Sequence, residues 1–147
     1  MTIVSEPRPV ALVPMQTSVN LRQIVSRLAN SFLPLAVRRK SFFINDIPED
    51  LYVNNNQQLV ASVLGGLIAS VVAHAKDSCI RVSAKVYSNI ILVHVKDCNN
   101  GSHYCFENGI KHLQPLAERM GGVVSITSQR FNVTTFAFSF PNSSIAA

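Results

Sequence analysis

The sequence predicts an α/β two-layer sandwich, in which a mixed, mostly antiparallel sheet of about five strands carries three helices on one face. Residues 57–75 are apolar on more than one helical face, which is typical of a buried helix. Residues 79–87 alternate between apolar and polar side chains, as a half-buried strand does. The order helix, strand, long helix, hairpin, helix, hairpin then predicts helices on one sheet face and water on the other.

Composition is consistent with one domain that has its own core. The chain has 147 residues, of which 48% are hydrophobic and 14% charged. Its three cysteines are odd in number and lack framework spacing, so we expect reduced thiols in a cytoplasm. Residues 1–18 lack the basic start of a signal peptide and are expected to form a flexible arm, followed by a domain over 19–141 and a tail over 142–147.

The charge pattern does not favour nucleic acid or membrane binding. The net charge is +5, but the basic residues cluster only at Arg38, Arg39 and Lys40, without interleaved aromatic residues. The central apolar run is interrupted by Gly, Ser and His, and is too short for a membrane span of about 20 residues. Acidic protein partners remain compatible with this charge.

The first half of the chain predicts two helices and two short strands. Asn20 is a candidate cap for a helix whose apolar residues recur at helical spacing, with Pro34 kinking or ending it near its close. Residues 41–45 predict a strand, and residues 51–53 a second, brief one. The side chains of residues 54–56 are candidate caps for the central helix.

The second half predicts two hairpins with a helix between them. A turn at Ser88 and Asn89 joins strand 79–87 to strand 90–96, with His94 on the solvated face. Residues 109–120 predict a helix with a kink at Pro115, stopped by two glycines. Two further strands follow, over residues 123–128 and 134–140.

One row on the central helix has two interpretations. Ser62, Gly66, Ser70 and His74 are spaced four residues apart and therefore share a face. Small residues on that face would let a neighbouring element pack closely. Alternatively, the row forms the floor of a pocket with His74 at one end.

Several short sequence motifs resemble those of the ATP-binding domain of sensor histidine kinases, which belongs to the GHKL superfamily and has a Bergerat-type fold. Residues 116–126 (LAERMGGVVSI) resemble the family's "LVELMGGEISV", and residues 134–141 (TTFAFSFP) resemble its last strand, "STFTFTLP". Residues 19–21 and 46–51 (DIPEDL) resemble its opening. The resemblance covers residues 19–141 and implies the same fold.

The family's catalytic motifs match less closely. Its N box, usually like "NLLSNAIKHT", falls on residues 66–75, so Gly66 stands at the first Asn and Ser70 at the second, which holds magnesium in the family. Its G1 box, "DxGxG", falls on residues 97–101. Asp97 and Gly101 are kept, and Asn99 replaces the first glycine. Asp97 would accept a hydrogen bond from the adenine amino group.

The remaining nucleotide motifs are partly kept. The last glycine of the family's G2 box matches Gly109, and the earlier one matches Glu107, an acid placed where phosphates would lie. Thr135 matches a threonine near the adenine. The resemblance implies ATP and magnesium as possible ligands, and it assigns no catalytic residue. It implies six nucleotide-binding positions: Asp97, Gly101, Gly109, Thr135, Ser70 and His74.

These departures favour a degenerate histidine-kinase-like domain, a pseudokinase, that acts in bacterial two-component-type signalling by binding a protein. The partner would be a sensor kinase, a response regulator or a second copy. The alternative is a functional kinase or ATPase domain that binds adenine nucleotide and magnesium, with Ser70 as the metal ligand.

A third interpretation is a metal or thiol site in one loop, built from Asp97, Cys98, His103 and Cys105. A candidate docking surface is the open sheet face, with Arg81, Lys85, Tyr87 and Lys96.

Overall fold

The computed structural model describes residues 18–99, 110–130 and 133–142, and within them helices and strands follow the predicted order. The elements are β1 (Val19–Asn20), α1 (Leu21–Arg38), β2 (Phe42–Asp46), β3 (Tyr52–Val53), α2 (Gln57–His74), β4 (Cys79–Tyr87), β5 (Ile90–Asp97), a 3-10 turn (Lys111–Leu113), α3 (Gln114–Glu118), β6 (Val123–Arg130) and β7 (Val133–Pro141).

The main sheet has five strands in the order β2-β4-β5-β7-β6. The pairing of β2 with β4 is parallel, and the other three pairings are antiparallel. A separate antiparallel pair joins β1 to β3, with Val19 opposite Val53. The prediction of an α/β sandwich with a mixed, mostly antiparallel sheet is therefore confirmed.

Helix α1 begins as predicted but does not end at its proline. The Asn20 side chain accepts a hydrogen bond of 3.1 Å from the Gln23 N–H and so caps the helix. Pro34 lies inside the helix, which continues to Arg38. Because Pro34 is exposed, water can replace the backbone donor that the ring removes.

Helix α2 is the centre of the core. It is long and apolar enough to cross a membrane by length and composition, yet it packs against α1, α3 and β5. Seven of its side chains are buried: Val60, Val63, Leu64, Leu67, Ile68, Val71 and Val72. This is the packing of a core helix.

The sheet presents an apolar face to the helices. Its buried members include Ile80, Val82, Ile91, Val93, Val95, Phe136, Phe138 and Phe140. Val86, which the alternation places on the same face, is 51% exposed although Ile91 opposite it is buried, because β2 pairs with β4 only from Cys79 to Ser83 and Val86 lies beyond that part. On the open face, Arg81 pairs with Asp46 at 2.5 Å.

The predicted kinked helix over residues 109–120 is wrong in its details. The described part is the 3-10 turn followed by the short α3, and Pro115 lies in the first turn of α3. A proline fits there because the first turn of a helix does not need its N–H group. Gly121 then ends the segment with a φ of 78°, in the left-handed region that favours glycine.

The connection between β3 and α2 ties together distant parts of the chain. Asn54 accepts a hydrogen bond from the Ser18 hydroxyl, and its N–H donates to Asn142 Oδ1 at 2.8 Å. The Asn55 side chain donates to the Pro141 carbonyl at 2.6 Å. These bonds hold the start of the described chain and the end of β7 against one loop.

Candidate functional site

The candidate site is centred on Asp97, the last residue of β5, which is fully buried. Its Oδ1 atom accepts hydrogen bonds from the Ser78 hydroxyl at 2.5 Å and from the Asn99 N–H at 3.2 Å. The Ser78 N–H in turn donates to the Ser41 hydroxyl at 3.1 Å. Since a buried carboxylate needs hydrogen-bond donors, this network stabilises Asp97 in place.

Asn99 anchors the segment that follows β5. Its side-chain amide donates to the carbonyl of Lys76 at 3.3 Å and to that of Asp77 at 3.0 Å. Asp77 has a φ of 51°, so the chain turns sharply there between α2 and β4. The residue that replaces the first G1 glycine therefore fastens this loop to the end of α2.

The strand register decides which threonine lies beside Asp97. In the pairing of β5 with β7, Asp97 is opposite Thr134, whereas Thr135 is opposite Lys96. Because successive side chains of a strand point to opposite faces, Thr134 shares the helix-facing side with Asp97 and Thr135 lies on the other side. Both are buried. The residue that the structure brings to Asp97 is thus Thr134, and the assignment of Thr135 to the adenine stays a prediction.

The small-residue row on α2 serves close packing at Gly66. A Cβ atom on Gly66 would lie 2.4 Å from Leu113 Cδ2 and 3.1 Å from Leu113 Cδ1. Leu113 itself is only 2% exposed. Its side chain therefore fills the space that a larger residue at the first N-box position would need.

The other members of that row are more open. Ser62 and His74 are exposed, and Ser70 is half-buried. His74 Nδ1 lies 2.9 Å from the Ser70 carbonyl oxygen, one turn earlier in the same helix. His74 is thus in contact with the helix backbone, at the carboxyl-terminal end where a cation is favoured.

The two N-box positions offer a magnesium ion one side-chain oxygen. Mg²⁺ prefers near-octahedral oxygen coordination, and Gly66 offers no side-chain ligand while Ser70 offers a single hydroxyl. Within residues 18–99, 110–130 and 133–142, no group of three or more His, Cys, Asp or Glu side chains could hold a metal ion. Gly101, His103, Cys105, Glu107 and Gly109 lie outside the described residues, so the predictions for the G2 box and the loop metal site fall there.

Two members of the site were missed from the sequence, Ser78 and Thr134. Both follow from pairing rather than from motifs. A two-residue turn at Ser88 and Asn89 places Ile80 opposite Asp97, which brings Ser78 to the same end of the sheet. The period of two along β7 then distinguishes Thr134 from its neighbour.

Comparison with known proteins gives matches in structure and not in sequence. No protein-family model matches the chain, and no curated protein matches its sequence significantly. The histidine kinase AdeS of Acinetobacter baumannii superposes with a TM-score of 0.75 at 14% identity, over 86% of this chain and 66% of that one. The present chain thus spans slightly less than two thirds of the AdeS chain.

Two further histidine kinase structures match over nearly their whole length. The catalytic domain of histidine kinase ThkA has a TM-score of 0.74 at 17% identity, over 86% of this chain and 97% of that one. The mycobacterial sensor histidine kinase MprB has a TM-score of 0.66 at 10% identity, over 87% and 98%. At such identities the likeness concerns the fold, and it confirms the fold that the sequence words imply. The chain therefore has the GHKL-type fold of histidine kinase catalytic domains.

Proposed function

We propose that this chain is a degenerate histidine-kinase-like ATPase domain, a pseudokinase that acts in two-component-type signalling through a protein partner rather than through phosphoryl transfer. The observation that carries this proposal is the contact between Leu113 and Gly66. Leucine methyl groups lie where the family's first N-box side chain would begin. A magnesium–phosphate end of the pocket would have to be built around them.

The chemistry of the second N-box position supports the same conclusion. A carboxamide oxygen reaches further from the helix than the Ser70 hydroxyl does, so the serine would need the helix or the ligand to move. Asp97 is already engaged with Ser78 and Asn99 through one carboxylate oxygen. The Asp97 end of the site is therefore held in place by hydrogen bonds within the protein.

The alternative function is binding of an adenine nucleotide. Binding would occur either with magnesium, as in a functional kinase or ATPase domain, or without catalysis. The observation that favours it is the pairing of two buried polar residues, Asp97 and Thr134, on the helix-facing side of adjacent strands. Such a pair can read the amino group and ring nitrogen of an adenine, because a carboxylate accepts and a hydroxyl both donates and accepts. In this case Asp97 would remain a nucleotide ligand while the phosphates stay exposed.

The proposed partner is a signalling protein in a cytoplasm, either a sensor kinase or a response regulator, or a second copy of the chain. Histidine kinase ThkA, which shares this fold, is known in complex with the response regulator TrrA. On the open sheet face, Lys85 and Tyr87 are exposed, and Lys96 is half-exposed. The Arg81 charge is paired with Asp46, so the two lysines are the cations offered to an acidic partner.

The first test is thermal unfolding of the purified full chain with ATP, ADP or a non-hydrolysable ATP analogue, each with and without magnesium. A ligand at a hundredfold excess over its dissociation constant stabilises the native state by about 2.7 kcal/mol. We expect no magnesium-dependent rise in melting temperature. A magnesium-dependent rise, abolished by Asp97→Asn, would overturn the proposal in favour of an active ATP site.

The same titration separates the alternative. A rise that is equal with and without magnesium, and that is lost in Asp97→Asn and Thr134→Val but kept in Thr135→Val, would establish adenine binding without catalysis. The Thr135 variant is the matched control because that side chain lies on the opposite sheet face.

For the partner, Lys85→Glu with Lys96→Glu should weaken binding to an acidic signalling protein, whereas Lys111→Glu, in the other layer, should not.

A further inference from the structure

Two cysteines lie directly opposite each other at one end of the main sheet. Ile80 pairs with Asp97 in the antiparallel register of β4 and β5, so one further step pairs Cys79 with Cys98. The Cys98 N–H donates to the Cys79 carbonyl at 3.1 Å, which extends the ladder to this pair. Directly opposite residues in an antiparallel pair have Cα atoms about 4.5–5.5 Å apart. A disulfide spans Cα separations of about 4.4–6.8 Å, so the backbone already has the required spacing.

Both thiols are on the accessible side of the sheet. Their neighbours along the chain, Ile80 and Asp97, are buried on the helix-facing side, so alternation places the cysteine side chains on the open side. Cys79 and Cys98 are each partly exposed and are reduced in this structure. A small thiol-reactive molecule can therefore reach them from solvent.

We propose that Cys79 and Cys98 form a dithiol modification site, which closes into a disulfide in exchange with an oxidised low-molecular-weight disulfide. One cysteine thiolate attacks the reagent's disulfide, forms a mixed disulfide and releases the first small thiol. The second cysteine thiolate attacks the mixed disulfide and releases the second small thiol. The protein loses two electrons and two protons, and the reagent's disulfide gains them as two thiols.

The position of the pair gives the bond a structural consequence. Cys79 follows Ser78, and Cys98 follows Asp97, the two residues joined by the buried hydrogen bond of the candidate site. A covalent link between their neighbours fixes the separation of the two strand ends. The loop that Asn99 fastens to residues 76 and 77 then has less freedom to open. This consequence holds whether or not the site binds nucleotide.

The electrostatic surroundings set the conditions under which exchange is fast. Burial and the adjacent Cys98 thiol raise the pKa of the Cys79 thiol, with Asp46 acting in the same direction and Arg81 opposing it. Since the thiolate is the attacking species, attack by Cys79 accelerates as the pH rises.

The test uses the full chain incubated with oxidised glutathione under native conditions, alkylated without reduction and digested with trypsin. Cleavage after Lys76, Arg81, Lys96 and Lys111 places Cys79 in peptide 77–81, and Cys98 with Cys105 in peptide 97–111. We expect these two peptides to be recovered as one disulfide-linked species that separates with dithiothreitol. The link should persist in Cys105→Ser and disappear in Cys98→Ala.

Two results would overturn the proposal: a link that disappears in Cys105→Ser, or a link that forms only when denaturant is present. Thermal melting shows whether each variant is folded. If Cys98→Ala does not fold, a linked species recovered from Cys105→Ser still identifies Cys98 as the partner of Cys79. Hydrogen exchange tests the consequence for the site. The Asn99 amide, which donates to Asp97, should exchange about tenfold more slowly in the oxidised chain. Unchanged exchange would disprove the coupling to Asp97.

Discussion

Leu113 lies directly against Gly66, so that a Cβ atom on the glycine would stand 2.4 Å from Leu113 Cδ2. The contact joins the turn before α3 to the middle of α2, the central core helix. It explains why a glycine is accepted inside a helix despite its conformational entropy: the missing side chain makes room for a buried leucine. The packing of the helix layer therefore depends on a residue without a side chain at position 66.

Substitution of Gly66 by alanine should destabilise the fold. In an open helix the change would be favourable by up to about 1 kcal/mol, but overpacking a core costs about 1–3 kcal/mol. Gly65→Ala is the matched control, because a Cβ there meets Leu28 Cδ2 at 3.4 Å, an ordinary contact. Urea unfolding should show Gly66→Ala as less stable than the parent and Gly65→Ala as equal or more stable.

A double-mutant cycle assigns the effect to Leu113. Leu113→Ala alone should lower the free energy of unfolding by about 2–5 kcal/mol through the cavity it creates. Combined with Gly66→Ala it should lose less than the sum of the two single changes, since the new methyl group occupies vacated space. Additive losses would mean that the two residues do not oppose each other in solution.

Gly122→Ala should be more damaging than a surface change. A Cβ atom on Gly122 would lie 2.5 Å from the Ser139 carbonyl oxygen, which belongs to the backbone of β7 and cannot rotate away. We expect a loss of about 1–3 kcal/mol, seen as a lower melting temperature. Ser125→Ala, at an exposed position of the strand β6 that follows Gly122, should stay within about 0.5 kcal/mol of the parent.

Ser78→Ala tests the hydrogen bond that supports the buried carboxylate. Asp97 would lose its 2.5 Å contact with the serine hydroxyl, and removing one partner of a buried polar group costs about 1–3 kcal/mol. Ser31→Ala is the control, because its hydroxyl donates to the Arg27 carbonyl at an exposed site. Equal stability of the two variants would show that Asp97 does not depend on Ser78.

Stability should also fall on mild acidification because of His94. Partial burial, followed by the charges of Lys96 and Lys85, lowers the pKa of this imidazole below its ordinary 6.5. The residues opposite it, Ser83 and Ala137, do not titrate. Because the folded-state pKa is the lower one, the unfolded chain binds the proton more readily. The contribution is complete above pH 6.5 and is lost as the pH falls through the folded-state value.

The check is chemical denaturation across that range for the parent and for His94→Gln. The variant should have a flatter dependence of unfolding free energy on pH, since it removes the titrating group while remaining polar. An identical slope in the parent and in His94→Gln would contradict the assignment.

Periodicity predicted the elements whose burial is regular. Helix α2 and strand β5 follow their patterns throughout, so their type and most of their bounds followed from the sequence. Periodicity failed at Pro115, because the pattern of apolar residues is almost the same for a continuous helix and for a 3-10 turn followed by a short helix. In β4 the alternation of burial stops after Val82, since alternation gives the face of a residue but not how far the neighbouring strand β2 extends.

The site was predicted only where a motif residue carries the chemistry. Asp97 was singled out in this way and is fully buried, and its role as a nucleotide ligand stays a prediction. Ser78, Thr134 and the contact of Leu113 with Gly66 depend on distances between elements that are remote in sequence. The hairpin turn contained part of that information, because counting outward from Ser88 and Asn89 pairs Cys79 with Cys98. The meeting of α2 with the turn before α3 has no such local signal.

Asn54 accepts a hydrogen bond from Ser18 and donates one to Asn142, so a single loop holds these two positions close together. Two segments attached at these points would leave the surface side by side and act as a single tether. The segment between Ser18 and Asn142 can therefore be inserted into a loop of another protein without separating the two halves of that host protein. A circular permutant joined there by a short linker should fold, because closing so short a gap costs little chain entropy.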